Sequence, residues 1–308
     1  MAKKCFFCKS KNTKKNGHNH CIQLYKCKSC GRQFLETARI DIKTLYQEYL
    51  FGKQTLKQLS EKYKISSKTI QRKLHKYKSQ RVISKDKTVI VLMDTTYWGW
   101  RFGVVVFKDV KTKKILWHKY INKKETLLDY QEGLEWLKAN SFTIEGLVCD
   151  GLRGIFSLFS SYPVQMCQFH QISIVKRYLT QKPELEASKE LLSIVKMMTH
   201  TDKESFVNLF LTWEKKWTCF LKERSLDKKT GKTLYTHRRL RSAYLSLKRN
   251  MKYLWTWYDH IDLGIPNTNN ALEGVFTDIK TKLRNHNGLS KNHRKIFIDE
   301  YFKNSFKQ

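Results

Sequence analysis

Acidic residues are scarce in this 308-residue chain: 27 Asp and Glu stand against 60 Lys and Arg, a formal net charge of +33 with an isoelectric point near 9.8. An excess of that size repels itself unless much of it faces a polyanion, so a phosphate-rich partner is expected, bound with steep salt dependence. A membrane surface fits less well, because the basic residues are spread along the chain and not gathered on one amphipathic helix. Long apolar runs are also absent. None approaches the ~18 residues a membrane-spanning helix requires, and Met1 to Lys4 lack the apolar segment of a secretory signal. The expected location is therefore the cytoplasm, on the nucleoid. Cysteine is too sparse, at eight residues, for a disulfide scaffold of this length, and four of the eight fall in two Cys-x-x-Cys pairs. That usage suits a reducing compartment and a metal. Hydrophobic residues at 41% leave material for one sizeable core and one or two small modules.

The first module is marked by Cys5-x-x-Cys8 and Cys27-x-x-Cys30-Gly31. Each pair brings two thiolates to one ion across a tight knuckle, and two knuckles complete a tetrahedral sulfur shell for Zn²⁺. Gly31 suits a knuckle position of positive φ. Between the pairs, Lys9, Lys11, Lys14 and Lys15 precede the alternating Ile22-Gln23-Leu24-Tyr25, which predicts a strand. Residues 1–38 thus read as a zinc ribbon whose folding energy comes from the metal. His18, His20 and Cys21 are spare ligand candidates that break the two-pair symmetry.

Residues 39–80 change to helical periodicity. Leu45, Tyr49 and Leu50 give one apolar stripe, and Thr55 to Tyr63 another; after Lys64-Ile65-Ser66 a basic run extends from Ser67 to Tyr77. Helix, short turn and basic helix predict a helix-turn-helix whose second helix enters a major groove. Ile70, Leu74 and Tyr77 recur at core spacing, which leaves Lys68, Thr69, Gln71, Arg72 and Lys76 for DNA. Gln71 and Arg72 have the chemistry for base edges, the lysines that for phosphates. A polar, basic linker, Lys78 to Lys87, follows.

The remainder predicts an α/β core with a mixed sheet. Val89 to Met93 is a continuous apolar run ending in Asp94; Trp98 to Phe107 and Ile115 to Tyr120 give two further strands, an antiparallel meander. Helical spacing over Thr126 to Asn140 then leads to Ile144 to Cys149 and Asp150. Two Asp residues at strand ends are compatible with one sheet crevice, where metal binding is expected and a bare buried carboxylate is not. Val164 to His170 predicts another strand edge. A largely helical stretch follows, with Trp213, Trp217 and Phe220 as its apolar stripe and Trp255, Trp257 and Tyr258 read as packing, with stacking on exposed bases as the alternative. The core is therefore divided into 81–172 and 263–308, with a helical insertion over 173–262. Glu273 follows Pro266 and an Asn-rich loop, where Asn269 or Asn270 caps its helix. Three carboxylates in one site can hold two divalent cations about 3.5–4 Å apart, the machinery for phosphodiester chemistry.

Taken together, Met93-Asp94-Thr95-Thr96, Cys149-Asp150-Gly151, Asn269-Asn270-Ala271-Leu272-Glu273-Gly274 and Cys167-Gln168-Phe169-His170 resemble the motifs of DDE transposases of the Mutator-like superfamily, a group of bacterial insertion-sequence enzymes. The resemblance implies a ribonuclease H-like catalytic core interrupted by the insertion. It implies Asp94, Asp150 and Glu273 as the metal-binding triad, for which Mg²⁺ or Mn²⁺ is expected, and Cys167 and His170 near the active site. His170 then either contacts the scissile phosphate or nucleophile or makes a structural hydrogen bond. Cys167 packs beside it. Lys280, Lys282, Arg284, His286 and Arg294 would line the DNA path. The ribbon and helix-turn-helix would bind double-stranded DNA at terminal inverted repeats, and synapsis of two ends implies a homodimer. Two other functions share these features: a structure-specific nuclease, and a zinc-dependent transcriptional regulator that binds DNA without cutting it.

Overall fold

The computed structural model describes residues 3–19, 22–35, 40–76, 87–99, 102–226 and 231–304. The chain divides into two compact units, Met1–Ser79 with Lys282–Phe297, and Gln80–Thr281 with Ile298–Gln308. His20, Cys21, Tyr77 and most of the linker lie outside the described residues.

In the first unit, β1 (Thr13–Asn19), β2 (Ile22–Cys27) and β3 (Gln33–Leu35) form an antiparallel sheet in that order. The Ile22–Tyr25 alternation marks β2. The lysine-rich β1 carries no apolar alternation, since only Thr13 and Asn16 are even partly buried, and the sequence reading passed it over. Three helices follow, α1 (Ile42–Leu50), α2 (Leu56–Tyr63) and α3 (Ser67–Lys76). Asp41 caps α1 through the Lys43 and Thr44 N–H groups; Thr55 and Gln58 form a capping box on α2. Lys64, in the left-handed region at φ 51°, turns the chain into α3, where Ser66 accepts the Thr69 N–H. Leu59, Ile70 and Leu74 are buried, as their spacing predicts.

Residues 282–297, placed by the sequence reading with the last part of the core, belong to this unit. His286 stacks on Tyr49 at 4.3 Å, Phe297 meets Tyr49 at 5.7 Å, and His293 stacks on His75 at 3.9 Å. Aromatic pairs of this kind add to area burial, and they hold a segment whose own sequence carries little helical periodicity.

The second unit is α/β, with a mixed five-stranded sheet. Strands β4 (Thr88–Tyr97), β5 (Gly103–Asp109) and β6 (Ile115–Ile121) form the expected antiparallel meander; α4 (Leu127–Ala139) crosses to β7 (Thr143–Cys149), α5 (Ile155–Leu158) follows, and β8 (Val164–Met166) completes the order β6-β5-β4-β7-β8. β7 pairs parallel with β4 and with β8. The continuous apolar run of β4 reflects burial on both faces. Val89, Val91 and Met93 join Tyr130, Leu134 and Leu137 of α4 in one cluster; Ile90, Leu92 and Asp94 point the other way. Strand β4 continues past the predicted end at Met93 because its antiparallel ladder with β5 runs to Tyr97↔Gly103.

Helices α6 (Gln168–Leu179), α7 (Glu186–Met197) and α8 (Lys203–Lys222), a short hairpin of β9 (Arg224–Leu226) and β10 (Thr233–Tyr235), α9 (Arg238–Leu254) and α10 (Thr256–Asp259) make up the helical region. It has its own core of Leu191, Val195, Phe206, Phe210, Trp213, Leu247 and Trp255, with Trp217, Phe220, Trp257 and Tyr258 packed against it. Trp213 and Trp255 are buried, as a packing role requires, whereas Trp217, Phe220, Trp257 and Tyr258 are half-buried. Two last helices, α11 (Asn270–Arg284) and α12 (Lys291–Asn304), end the described chain. Among the described residues no helix is long and apolar enough to cross a membrane.

Gly133 fixes how closely α4 approaches the sheet. A Cβ there would stand 2.6 Å from Phe107 Cζ and 2.8 Å from Trp117 Cε3, both in buried rings. Helix propensity favours replacing glycine by at most about 1 kcal/mol, whereas overpacking costs ~1–3 kcal/mol. Gly133→Val should therefore destabilise this unit by roughly 1–3 kcal/mol in a urea melt; an unchanged midpoint would mean that the rings move aside freely.

Candidate active site and metal-binding groups

Four sulfurs meet in the ribbon. Cys5 Sγ lies 3.7 Å from Cys30 Sγ and Cys8 Sγ 3.5 Å from Cys27 Sγ, with all four within 4.8 Å of one another. A disulfide would bring a pair to about 2 Å. Tetrahedral zinc with bonds of about 2.3 Å puts its sulfurs about 3.8 Å apart, so this cluster has the dimensions of a zinc site. The thiols also cannot ionise independently. The Cys30 N–H is the chief cause bringing Cys27 down to about 6. Cys8, although the Ser10 N–H works to lower it, is pushed up to about 12 by the proton it shares with Cys27. A dication resolves that competition by letting all four sulfurs lose their protons. Metal analysis of the full chain should find one ribbon ion fewer in Cys27→Ser than in wild type, and chelation should open Lys14 and Lys15 of β1 to trypsin. Resistance of β1 to trypsin after complete metal removal would contradict a metal-dependent ribbon.

The three predicted carboxylates come from different elements. Asp94 stands on β4 two residues beyond its last parallel pair with β7, Leu92↔Val148. Asp150 follows the end of β7 directly, in the same crevice at the carboxyl ends of the parallel strands. Alternation sets the face: Asp94 pairs with Val106, so Lys108 of β5 shares its side of the sheet, and the buried Lys108 Nζ donates to Ala271 O at 2.7 Å. The first turn of α11, carrying Glu273, therefore lies over the face that carries Asp94.

Asn269 fastens this arrangement. It is fully buried; its Nδ2 donates to Met93 O at 3.1 Å, its N–H to Cys167 Sγ at 3.2 Å, and its carbonyl accepts the Leu272 and Glu273 N–H groups. Cys167 N–H in turn donates to Cys149 O at 2.8 Å. One asparagine thus joins the residues next to Asp94, the strand end next to Asp150 and the turn that bears Glu273.

Asp94 is buried, and its carboxyl is held well above the ordinary range, first by burial and then by the charges of Asp150, Glu273 and Glu125; only the Thr95 N–H, at 2.7 Å, works the other way. The strongest charges acting on it are all carboxylates, in a chain with more than twice as many basic as acidic residues. Burial and the charges of Asp150 and Glu125 likewise push up the Tyr130 hydroxyl, which meets Thr95 Oγ1 at 3.0 Å. The carboxylates do not close into one tight ligand set. Among the described residues the three-ligand group within 4.8 Å is Cys167, His170 and Glu273, with His170 Nδ1 3.8 Å from Glu273 Oε1.

His170 departs from the predicted strand edge. β8 ends at Met166, and Gln168 N–H, bonded to Asn267 O at 3.0 Å, starts α6, so His170 lies in a first helical turn. Glu125 was missed by sequence reasoning. It sits just before the α4 cap with no motif of its own, and its carboxylate accepts the Tyr97 hydroxyl at 2.7 Å.

Of the predicted DNA-facing residues, Lys68 and Arg72 are exposed, and Arg72 is hydrogen-bonded to the half-buried Thr69. Gln71 is half-buried and lines a cavity with Tyr49, Leu56 and Leu289. The Lys76 side chain lies outside the described residues. Arg284 is exposed, and Lys280 and Arg294 are half-buried. Lys282 and His286 are buried, the first over the Phe51 ring and the second against Tyr49. Both pack within the first unit. No protein-family model matches the chain, and no curated protein matches it.

Burial and the neighbouring carboxylates make Asp94 a weaker acid in the fold than in the unfolded chain. Its stabilising contribution is fully present below the unfolded value of about 3.9 and is lost as pH rises through the higher folded value, so ionised Asp94 weakens the metal-free fold at neutral pH. Asp94→Asn keeps an acceptor for the Thr95 N–H and removes the charge. Metal-free Asp94→Asn should melt at least ~2 °C above wild type at neutral pH, the shift that about 1 kcal/mol produces at this size. The gap should narrow as pH falls, and Mg²⁺ should raise only the wild-type midpoint. Equal midpoints at neutral pH would contradict the buried charge.

Proposed function

We propose that the protein is a DDE transposase of the Mutator-like kind, with a ribonuclease H-like core, that binds the terminal repeats of its own element, cuts the DNA ends and joins them to target DNA. The observation that carries this reading is Asp94, buried and acted on most strongly by Asp150, Glu273 and Glu125. Such a cluster is stable at neutral pH when a cation neutralises it. Asp94, Asp150 and Glu273 would hold Mg²⁺ or Mn²⁺, which when bound activates the attacking oxygen and stabilises the leaving one.

The chain's own residues supply the rest. Asp94, buried on β4, would be the fixed member, and Glu273, half-exposed on α11, the one reached from solvent. Asn269 keeps the two in register. In the first displacement water attacks the phosphorus at the element end, the bond to the 3′-oxygen breaks, and a 3′-hydroxyl is freed. In the second, that hydroxyl attacks a target phosphodiester and the target's 3′-oxygen leaves. The charge of +33 supports a double-stranded DNA partner, the ribbon would carry Zn²⁺, and α2 and α3 would provide the groove-binding element. Two ends brought together call for a homodimer on DNA.

The test incubates full-length protein with labelled DNA carrying the flanks of its own gene region, with Mg²⁺ or EDTA. Cleaved and joined species should form only with Mg²⁺, and Asp94→Asn should bind the same DNA while losing product by more than about 10²-fold. Cutting without joining would leave a nuclease. Specific binding with neither product would leave a regulator, and wild-type cutting by Asp94→Asn would remove the triad.

A further inference from the structure

Cys167 helps to seat the carboxylates by accepting the Asn269 N–H, and together with His170 it is also built like one of the ribbon's knuckles. In the ribbon a buried cysteine, Cys5, accepts a backbone N–H, from Phe7 at 3.4 Å, and a second ligand follows three residues later. Cys167 is also fully buried, accepts the Asn269 N–H at 3.2 Å, and is followed three residues later by His170. The His170 Nδ1 atom is itself shut off from solvent and has no hydrogen-bond partner. It faces Glu273 Oε1 at 3.8 Å, too long for a hydrogen bond. Sulfur, imidazole nitrogen and carboxylate oxygen all lie within 4.8 Å of one another.

We infer that Cys167, His170 and Glu273 form a second transition-metal site, selective for Zn²⁺ or Co²⁺ over Mg²⁺, with its fourth position open. The donor set decides the metal: thiolate and imidazole favour zinc and its neighbours, whereas magnesium keeps to oxygen. The size fits as well. Zinc bonds of about 2.0 Å to nitrogen and about 2.1 Å to oxygen set those donors about 3.4 Å apart in a tetrahedron, a few tenths of an ångström inside the observed 3.8 Å. Binding displaces the Cys167 proton to solvent and places the metal on the orphaned Nδ1. Glu273 belongs to both groups. On the reading given under Proposed function, and resting on it, zinc held here draws Glu273 away from Asp94 and antagonises Mg²⁺.

The test uses full-length protein with zinc in its ribbon and no DNA, titrated with Co²⁺ while ribbon zinc is measured by mass spectrometry. One further Co²⁺ per chain should bind with a sulfur-to-cobalt charge-transfer band while zinc stays constant. Cys167→Ser should lose the band and keep the zinc. Glu273→Gln should keep the band and bind Co²⁺ more weakly by more than about tenfold, the loss typical even of outer-shell partners. His170→Ala, at a partly exposed side chain, should weaken binding similarly and serves if Cys167→Ser fails to fold. No further Co²⁺, Co²⁺ without a sulfur band, or a band that persists in Cys167→Ser would each overturn the site. Because no DNA cleavage is measured, failure here leaves the transposase reading standing, and failure of that reading leaves this site standing.

Discussion

A carboxylate buried among other carboxylates is the constraint on which the second unit turns. Asp94 is removed from water by strands packed on both sides of β4, and the charges nearest in effect are Asp150, Glu273 and Glu125. Stability alone would favour an apolar residue at that position, as at Ile90 and Leu92 on the same face of the strand. An acid at that position, in a chain with a large surplus of bases, is what the proposed function requires, since a cation bound there would offset the desolvation of the carboxylate.

The surrounding architecture sets the acids in place without a long loop. β4, β7 and β8 are neighbouring parallel strands, so their carboxyl ends open on one crevice. Asp94 lies on β4 just beyond its last parallel pair with β7, and Asp150 and Cys167 directly follow the ends of β7 and β8. The chain then leaves for the helical region and returns through Asn267 and Asn269, whose hydrogen bonds to Gln168, Met93 and Cys167 set α11 on the sheet. The inserted helices pack around Phe206, Trp213 and Trp255 and are tied to the sheet through β8, whose Met166 joins their core and whose Gln165 and Val164 bond to Leu254, Trp257 and Thr256.

Much of this was legible in the sequence, for identifiable physical reasons. Apolar continuity at Val89–Met93 signalled a strand buried on both faces, and paired cysteines signalled the sulfur cluster. Thr55 and the Lys64–Ser66 break marked the ends of α2 and the start of α3. What escaped was set by tertiary contact. β1 has little apolar content to betray it and is held by its ladder to β2. His170 was read onto a strand because Val164–His170 is apolar enough for one, but the bond from Gln168 N–H to Asn267 O, a partner 99 residues away, starts a helix instead. The burial of Lys282 and His286 could not be read from their basic surroundings, because Phe51 and Tyr49, which they pack against, come from a distant part of the chain. Glu125 had no pattern to reveal it, since its place near Asp94 depends on the fold of the β6 to α4 connection.

The central claim is that Asp94, Asp150 and Glu273 act together on divalent cations. Electron paramagnetic resonance of the full-length protein titrated with Mn²⁺ tests it most directly, because two ions about 4 Å apart, as in two-metal sites, couple their spins. A spin-coupled pair of Mn²⁺ ions per chain, absent from Asp94→Asn, is expected. Uncoupled Mn²⁺ spectra that are the same in wild type and Asp94→Asn would contradict it.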